Sequence, residues 1–351
     1  MTWTRSGARW LRALVWLGLV ACTGCASGLK LTLLSAAARP PSNVAVFFAV
    51  DTDDGEPVAN LLAEDFHIYE DDKLVSVHES QQTIVNPEIA ATHYTLLLVD
   101  MSASVTASDQ LDAITRSARE FVSQVAPYQR VAVYAFDGSK NLYEVVPFAT
   151  AGAETARAWD RLRQFESRDP STNLHGAVLQ ALGELDKALQ RAHAPLRFGT
   201  LVVFTDGTDR ADRVPYQQMI DAVEASPHNV YALGVGHEIE DSVLSRIGKT
   251  GYIRVEDSAA SSAAFHEIGD RIVRFTRRYY LLSYCSPARA GQHVVRIEAT
   301  AEGRRGELDY AFDAAGYGPR CDPTRPPPFD IKGTSRGLRE KLRPVAKEPR
   351  R

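Results

Sequence analysis

The chain has 351 residues, of which 44% are hydrophobic and 24% charged, the composition of a soluble globular protein long enough for two domains. Its formal net charge of −4 provides no global basic field, so no nucleic-acid partner is expected.

The N-terminus has its own character. Arg5, Arg9 and Arg12 precede the apolar run Ala13 to Ala21, and Cys22 follows. A charged start ahead of a short apolar stretch is a secretory signal, too short to span a bilayer by itself. Leu19-Val20-Ala21-Cys22 resembles a bacterial lipobox, which would make residues 1–21 a signal peptide and Cys22 the lipidated mature N-terminus. Cys25 is the alternative lipid site, because a modified Cys22 leaves it unpaired in an oxidising compartment. An uncleaved signal anchor is the remaining alternative. Neither cysteine is followed by Asp, which resembles the sorting pattern of outer-membrane lipoproteins. The expectation is therefore a lipid-anchored envelope protein, placed at the outer membrane. Export also permits a disulfide between Cys285 and Cys321.

Residues 22–43 read as a linker rich in Ala, Ser and Pro, and a strand follows over Val44 to Val50. Asp51 to Pro57 carries turn chemistry. A calcium loop fits this acidic cluster less well, since Gly55 falls one position early for an EF-hand. Phe66 to Glu70 alternates apolar and polar, residues 71–73 turn, and Leu74 to His78 returns as a hairpin.

Strands and helices alternate over residues 93–275, as a parallel α/β sheet requires. Asp109 to Val125 has an apolar face at the helical period. Val131 to Phe136, Asn229 to Gly236 and Gly251 to Val255 read as strands, and Leu142 to Phe148 as a short antiparallel edge. Gly234-x-Gly236 lacks the third glycine of a dinucleotide fingerprint and reads as a tight strand end.

From Arg277 onward the pattern returns to β, at Tyr279 to Cys285, Gly291 to Ala299 and Glu307 to Phe312. Neither residues 44–90 nor 278–318 supply enough strands for a stable unit. The economical solution is one β-sandwich made from both, with the α/β domain inserted between them. Residues 319–351 read as a disordered tail; from 322 onward it holds nine Arg or Lys against four Asp or Glu, with Pro326-Pro-Pro328.

The most informative stretch is Asp100-Met-Ser102-Ala-Ser104, immediately after the apolar strand Tyr94 to Val99. Open α/β sheets place ligand sites beyond the carboxyl ends of their strands. One carboxylate and two hydroxyls offer only oxygen, which suits a hard divalent cation such as Mg2+. A second apolar strand, Leu201 to Thr205, ends in Asp206-Gly-Thr-Asp209. Between them Ser171-Thr172-Asn173 opens a helix with an apolar face at Leu174, Ala177, Val178, Ala181, Leu182, Leu185 and Leu189.

With these three loops in this order the chain resembles the von Willebrand factor type A family. The resemblance implies a doubly wound, Rossmann-like sheet and a metal-ion-dependent adhesion site formed by Asp100, Ser102, Ser104, Thr172 and Asp206, holding Mg2+ (or Mn2+ or Ca2+). It further implies a protein partner whose acidic side chain completes the metal's coordination. The segment from Asp54-Gly-Glu-Pro-Val to Asp65-Phe-His-Ile-Tyr-Glu-Asp71 resembles the β segment that often precedes this domain in bacterial proteins. The competing account of each residue is mundane: Asp, Ser and Thr at loop–helix junctions cap helices.

Other residues near the expected rim carry weaker signals. Asp209 and Asp212 read as loop residues, and His175 as foreign to an all-oxygen site. Tyr279-Tyr280 reads as strand packing, and Arg163, Arg168, Arg210 and Arg213 as surface charges able to meet an acidic ligand. Catalysis finds no support, since there is no Asp-x-Asp at the first strand, no metal-spaced His pair and no Gly-x-Ser-x-Gly. A structural envelope protein with a vestigial site is the second reading, and a metal-dependent hydrolase the third.

Overall fold

The computed structural model describes residues 28–85, 91–106, 110–149, 159–194, 196–257 and 260–327. Cys22, Cys25, the signal segment and the tail beyond residue 327 lie outside the described residues. Among the described residues no helix is long and apolar enough to cross a membrane.

Two apolar strands, β6 (Ala91–Asp100) and β9 (Leu196–Thr205), sit side by side at the centre of a six-stranded sheet. Its order is β11 (Gly251–Val255), β10 (Asn229–Val235), β9, β6, β7 (Arg130–Phe136) and β8 (Tyr143–Ala149). All pairs are parallel except β7 with β8, the antiparallel edge expected from the sequence. Successive side chains of a strand point to opposite faces. Leu97, Val99, Val202 and Phe204 accordingly enter one core with α3 (Gln110–Val125) and α7 (Ser261–Arg277). Leu96, Leu98, Leu201 and Val203 enter the other, with α4 (Leu174–Arg191), α5 (Tyr216–Ala225) and α6 (Asp241–Ile247). Helices cover both faces, giving the doubly wound α/β architecture that the alternating pattern predicts.

The flanking segments form two four-stranded sheets. One is ordered β1 (Leu29–Arg39), β2 (Asn43–Thr52), β12 (Tyr279–Cys285), β5 (Thr83–Val85). The other is ordered β14 (Arg304–Asp313), β13 (Gln292–Ala301), β3 (Phe66–Glu70), β4 (Lys73–Leu74). The segments before and after the α/β domain thus pair with each other, β2 with β12 and β3 with β13. Every residue of β2 is buried, and the reason is that both of its faces are covered. Val44, Val46, Phe48 and Val50 meet the second sheet, whereas Ala45, Phe47 and Ala49 meet Ala91, Leu196 and Phe275 of the α/β domain.

Three sequence expectations need correction. The linker assigned to residues 22–43 contains β1, eleven residues paired antiparallel to β2. Its alternation is broken by a register shift between Leu33 and Ser35, and Ala36, Ala37 and Ala38 supply little apolar contrast. The return strand over Leu74 to His78 is only two residues long. A helical turn, α1 (Val77–Ser80), replaces the rest, and Gln81 ends it in the left-handed region at φ 51°. The tail assigned from 319 begins tethered, because Cys321 is disulfide-bonded to Cys285 and Asn43 Nδ2 donates to the carbonyls of Asp322 (2.7 Å) and Arg325 (3.2 Å). Asp51 to Pro57 is a turn, with Gly55 N–H donating to Thr52 O and Gly55 at φ 80°.

Candidate metal centre

The carboxylate of Asp100 ends β6 and is wholly buried. Its Oδ1 accepts from Ser102 N–H at 3.0 Å and its Oδ2 from the Thr205 hydroxyl at 2.7 Å. Ser102 is buried and its Oγ lies 3.1 Å from that of the exposed Ser104. The helical turn α2 (Ala103–Thr106) starts on this loop, with the hydroxyl of Thr106 donating back to Ser102 O.

Backbone bonds join the three loops. Ala103 N–H donates to Pro170 O (3.2 Å), tying the first loop to the second. Arg210 and Ala211 N–H both donate to Thr172 O, at 2.9 and 3.1 Å, tying the third loop to the second. Thr172 itself is buried. The five residues expected from the sequence therefore belong to three hydrogen-bonded loops at one pole of the sheet.

The electrostatics of the pole are informative. Burial and the neighbouring charge of Asp206 push the Asp100 carboxyl up to about 7. Burial also raises Asp206, although a hydrogen bond from Ser104 works the other way. Asp206 Oδ1 is buried with no hydrogen-bond partner among the described residues. A buried carboxylate oxygen without a donor is costly, and two carboxylates crowded together are costlier. A divalent cation would relieve both, and the surrounding donors are all oxygen. The residues fit such an ion. They do not form a cluster of three or more His, Cys, Asp or Glu, and no such cluster occurs among the described residues. Neutral hydroxyls take the place of the further carboxylates.

Two residues that shape the pole were not singled out from the sequence. Thr205 holds Asp100 and also accepts from Gly207 N–H at 3.3 Å. Asp137, beyond the end of β7, is fully buried. Its carboxylate accepts from the N–H groups of Ser139 (2.7 Å), Arg168 (2.8 Å) and Asp169 (3.3 Å). Its carbonyl accepts from Asn173 N–H at 3.1 Å, so one aspartate organises the loop carrying Thr172. The available signal was a polar residue directly after a predicted apolar strand, the same signal that marks Asp100.

The remaining rim residues are engaged within the fold. Asp209 accepts from His175 N–H (2.7 Å) and Asp212 N–H (2.9 Å), and His175 Nδ1 meets Val214 O at 2.9 Å. Arg210 pairs with Glu238 at 2.6 Å and Arg213 with Asp169 at 2.8 Å. Arg168 stacks over Tyr143, and Arg163 lies 3.5 Å from Asp112. Tyr279 and Tyr280 pack in the cores on either face of β12.

Comparison with known proteins gives one family match and several likenesses of fold. Residues 95–208 match the profile of the von Willebrand factor type A domain, a span that contains all five expected site residues. No curated protein matches the chain. Among solved structures, a von Willebrand factor type A protein from Catenulispora acidiphila is 12% identical, covering 83% of this chain and 75% of its own, with a TM-score of 0.45. Proximal thread matrix protein 1 from the mussel byssus is 14% identical over 52% of this chain, with a TM-score of 0.44; one of its structures has a zinc-occupied MIDAS motif. This chain spans about half of that protein's length, 48%. Manganese-loaded TRAP protein of Plasmodium vivax is 11% identical, covering 71% of this chain and 98% of its own, with a TM-score of 0.42. Residues 95–208 thus match the von Willebrand factor type A domain, and they lie within an α/β domain set between two β segments that pair with each other.

Proposed function

We propose that this chain is an envelope-anchored adhesion module, and not an enzyme, that grips an acidic side chain of a protein partner through a divalent-metal site. The observation that carries the reading is the orphaned, buried Asp206 Oδ1, placed with Asp100 and the hydroxyl loops at one pole of the sheet. Ser102, Ser104 and Thr172 would offer hydroxyl ligands, while Asp100 and Asp206 would accept from the metal's waters. A bound Mg2+, Mn2+ or Ca2+ would supply a Lewis-acidic position open to a ligand carboxylate. Hydroxyls neutralise less of its charge than carboxylates would, which favours an anionic partner. Thr205 holds Asp100 in place, and Asp137 holds the Thr172 loop.

Placement supports an adhesive role. The metal pole lies at the carboxyl end of β6, while the flanking sheets pack near its start, at Ala91. Ten strand residues separate the two, roughly 30 Å. A lipid at Cys22, with Cys25 as the alternative, would attach on the N-terminal side of β1. The test is capture of a partner from native envelope by the intact protein in Mg2+, in EDTA and with Ser102→Ala. A partner held in Mg2+ alone, and lost with the variant, supports the reading. Retention in EDTA or by the variant contradicts it and favours a structural envelope protein with a vestigial site.

A further inference from the structure

The pole opposite the metal site holds a cavity of about 510 Å3, a volume typical of small-molecule sites. It is built from the starts of β6 and β7, the end of α4 and the turn after it. Among its lining residues are His93, Tyr94, Tyr128, Arg130, Arg191 and His193, and no Asp or Glu is among the described residues that line it. Arg130 opens β7 directly opposite Tyr94 in the ladder, and its guanidinium lies 5.7 Å from that ring's centroid. The Tyr128 ring is 38% exposed and carries Arg277 over it at 5.2 Å. Neither Arg130 nor Arg191 belongs to an ion pair among the described residues, unlike Arg210, Arg213 and Arg254 at the metal pole. Glu144 and Glu184, which share the surroundings of Tyr134 with Arg191, lie outside the lining.

We propose that this cavity is a second ligand site, which takes a soluble organic phosphate with its phosphate on Arg130 and Arg191 and its body against Tyr128. Two guanidiniums with no ion pair among the described residues suit the dianionic charge and multiple oxygens of a phosphate monoester. The volume exceeds what a bare anion fills, and an exposed aromatic face gives an organic body a surface. The wall is pre-organised: Gln129 is hydrogen-bonded to Thr95 and Thr276, and His93 stacks on Phe198 at a ring separation of 4.9 Å. His93 also meets Tyr279, so the cavity borders the junction of the α/β domain with the flanking sheets. Ligand sites favour such junctions.

The test is calorimetric titration of the full chain with phenyl phosphate in EDTA, which keeps the metal pole out of the measurement. Saturable binding is expected, with no binding of phenol. Arg130→Gln and Arg191→Gln should each weaken it roughly tenfold or more. Arg116→Gln, an exposed arginine outside the lining, should leave it unchanged. Both cavity arginines are exposed, so the variants should melt with wild type, which is checked by thermal unfolding. No saturable binding up to about 10 mM, or equal affinity in wild type and the two cavity variants, would overturn the proposal. So would binding to phosphatidylglycerol vesicles without binding to phenyl phosphate, which would assign the cavity to a lipid headgroup.

Discussion

Arg278 Nη1 lies 2.7 Å from Asp51 Oδ1, and this buried pair joins the end of α7 to the end of β2. The guanidinium is 2% exposed and stands over the rings of Phe275 and Tyr279, at 4.3 and 5.1 Å from their centroids. An arginine there is tolerable only with its charge matched. Asp51→Ala removes the carboxylate that balances this buried charge, which should cost about 3–5 kcal/mol. Denaturant unfolding of wild type and variant checks this. A loss under about 1 kcal/mol would show that the pair contributes little to the junction.

The same junction should make stability depend on pH through His93. Burial, and then the charge of Arg278, push its imidazole down to about 3. In the unfolded chain the ring titrates near 6.5. Between those values the unfolded state takes up a proton that the folded state refuses, so His93 lowers stability as pH falls from about 6.5 towards 3. His93→Phe keeps a stacking partner for Phe198 and removes the titration. Its stability should fall less steeply than that of wild type over this window, in phosphate-free buffer. Parallel pH profiles would contradict the assignment.

Asp137 should affect metal affinity without touching the metal. Asp137→Ala leaves the N–H groups of Ser139, Arg168 and Asp169 without their acceptor and loosens the loop that presents Thr172. Outer-shell groups of this kind change metal affinity by roughly 10–100-fold. Titration with Mn2+ should show a weakening in that range while the α/β fold persists by circular dichroism. Wild-type affinity in the variant would show that the loop holds its shape without Asp137.

The α/β domain and the candidate metal pole at its strand ends were legible because the signals are local. Strands β6 and β9 are apolar runs, and the oxygen-bearing residues follow each run directly. The helix after Thr172 has an unbroken apolar face. What was not legible depends on distant partners. Nothing near Asp137 in sequence says that its carboxylate reaches Arg168 and Asp169, 31 and 32 residues away. Thr205 reads as one more strand residue until its hydroxyl is seen on Asp100. Strand β1 was hidden by its small residues and its register shift, and β5 by having only three residues. Burial of β2 on both faces removes the alternation that would have identified it as one layer of two.

The central claim is that Asp100, Ser102, Ser104, Thr172 and Asp206 hold a divalent ion. Binding to the folded state alone raises stability by mass action, about 2.7 kcal/mol at a hundredfold excess over Kd. The direct measurement is thermal unfolding in EDTA and in excess Mg2+, for wild type and for Asp206→Ala. Wild type should melt several degrees higher in Mg2+, and Asp206→Ala should lose that increment while still unfolding cooperatively. An equal rise in both proteins, or no rise in wild type at millimolar Mg2+, would contradict the assignment of these five residues as a metal site.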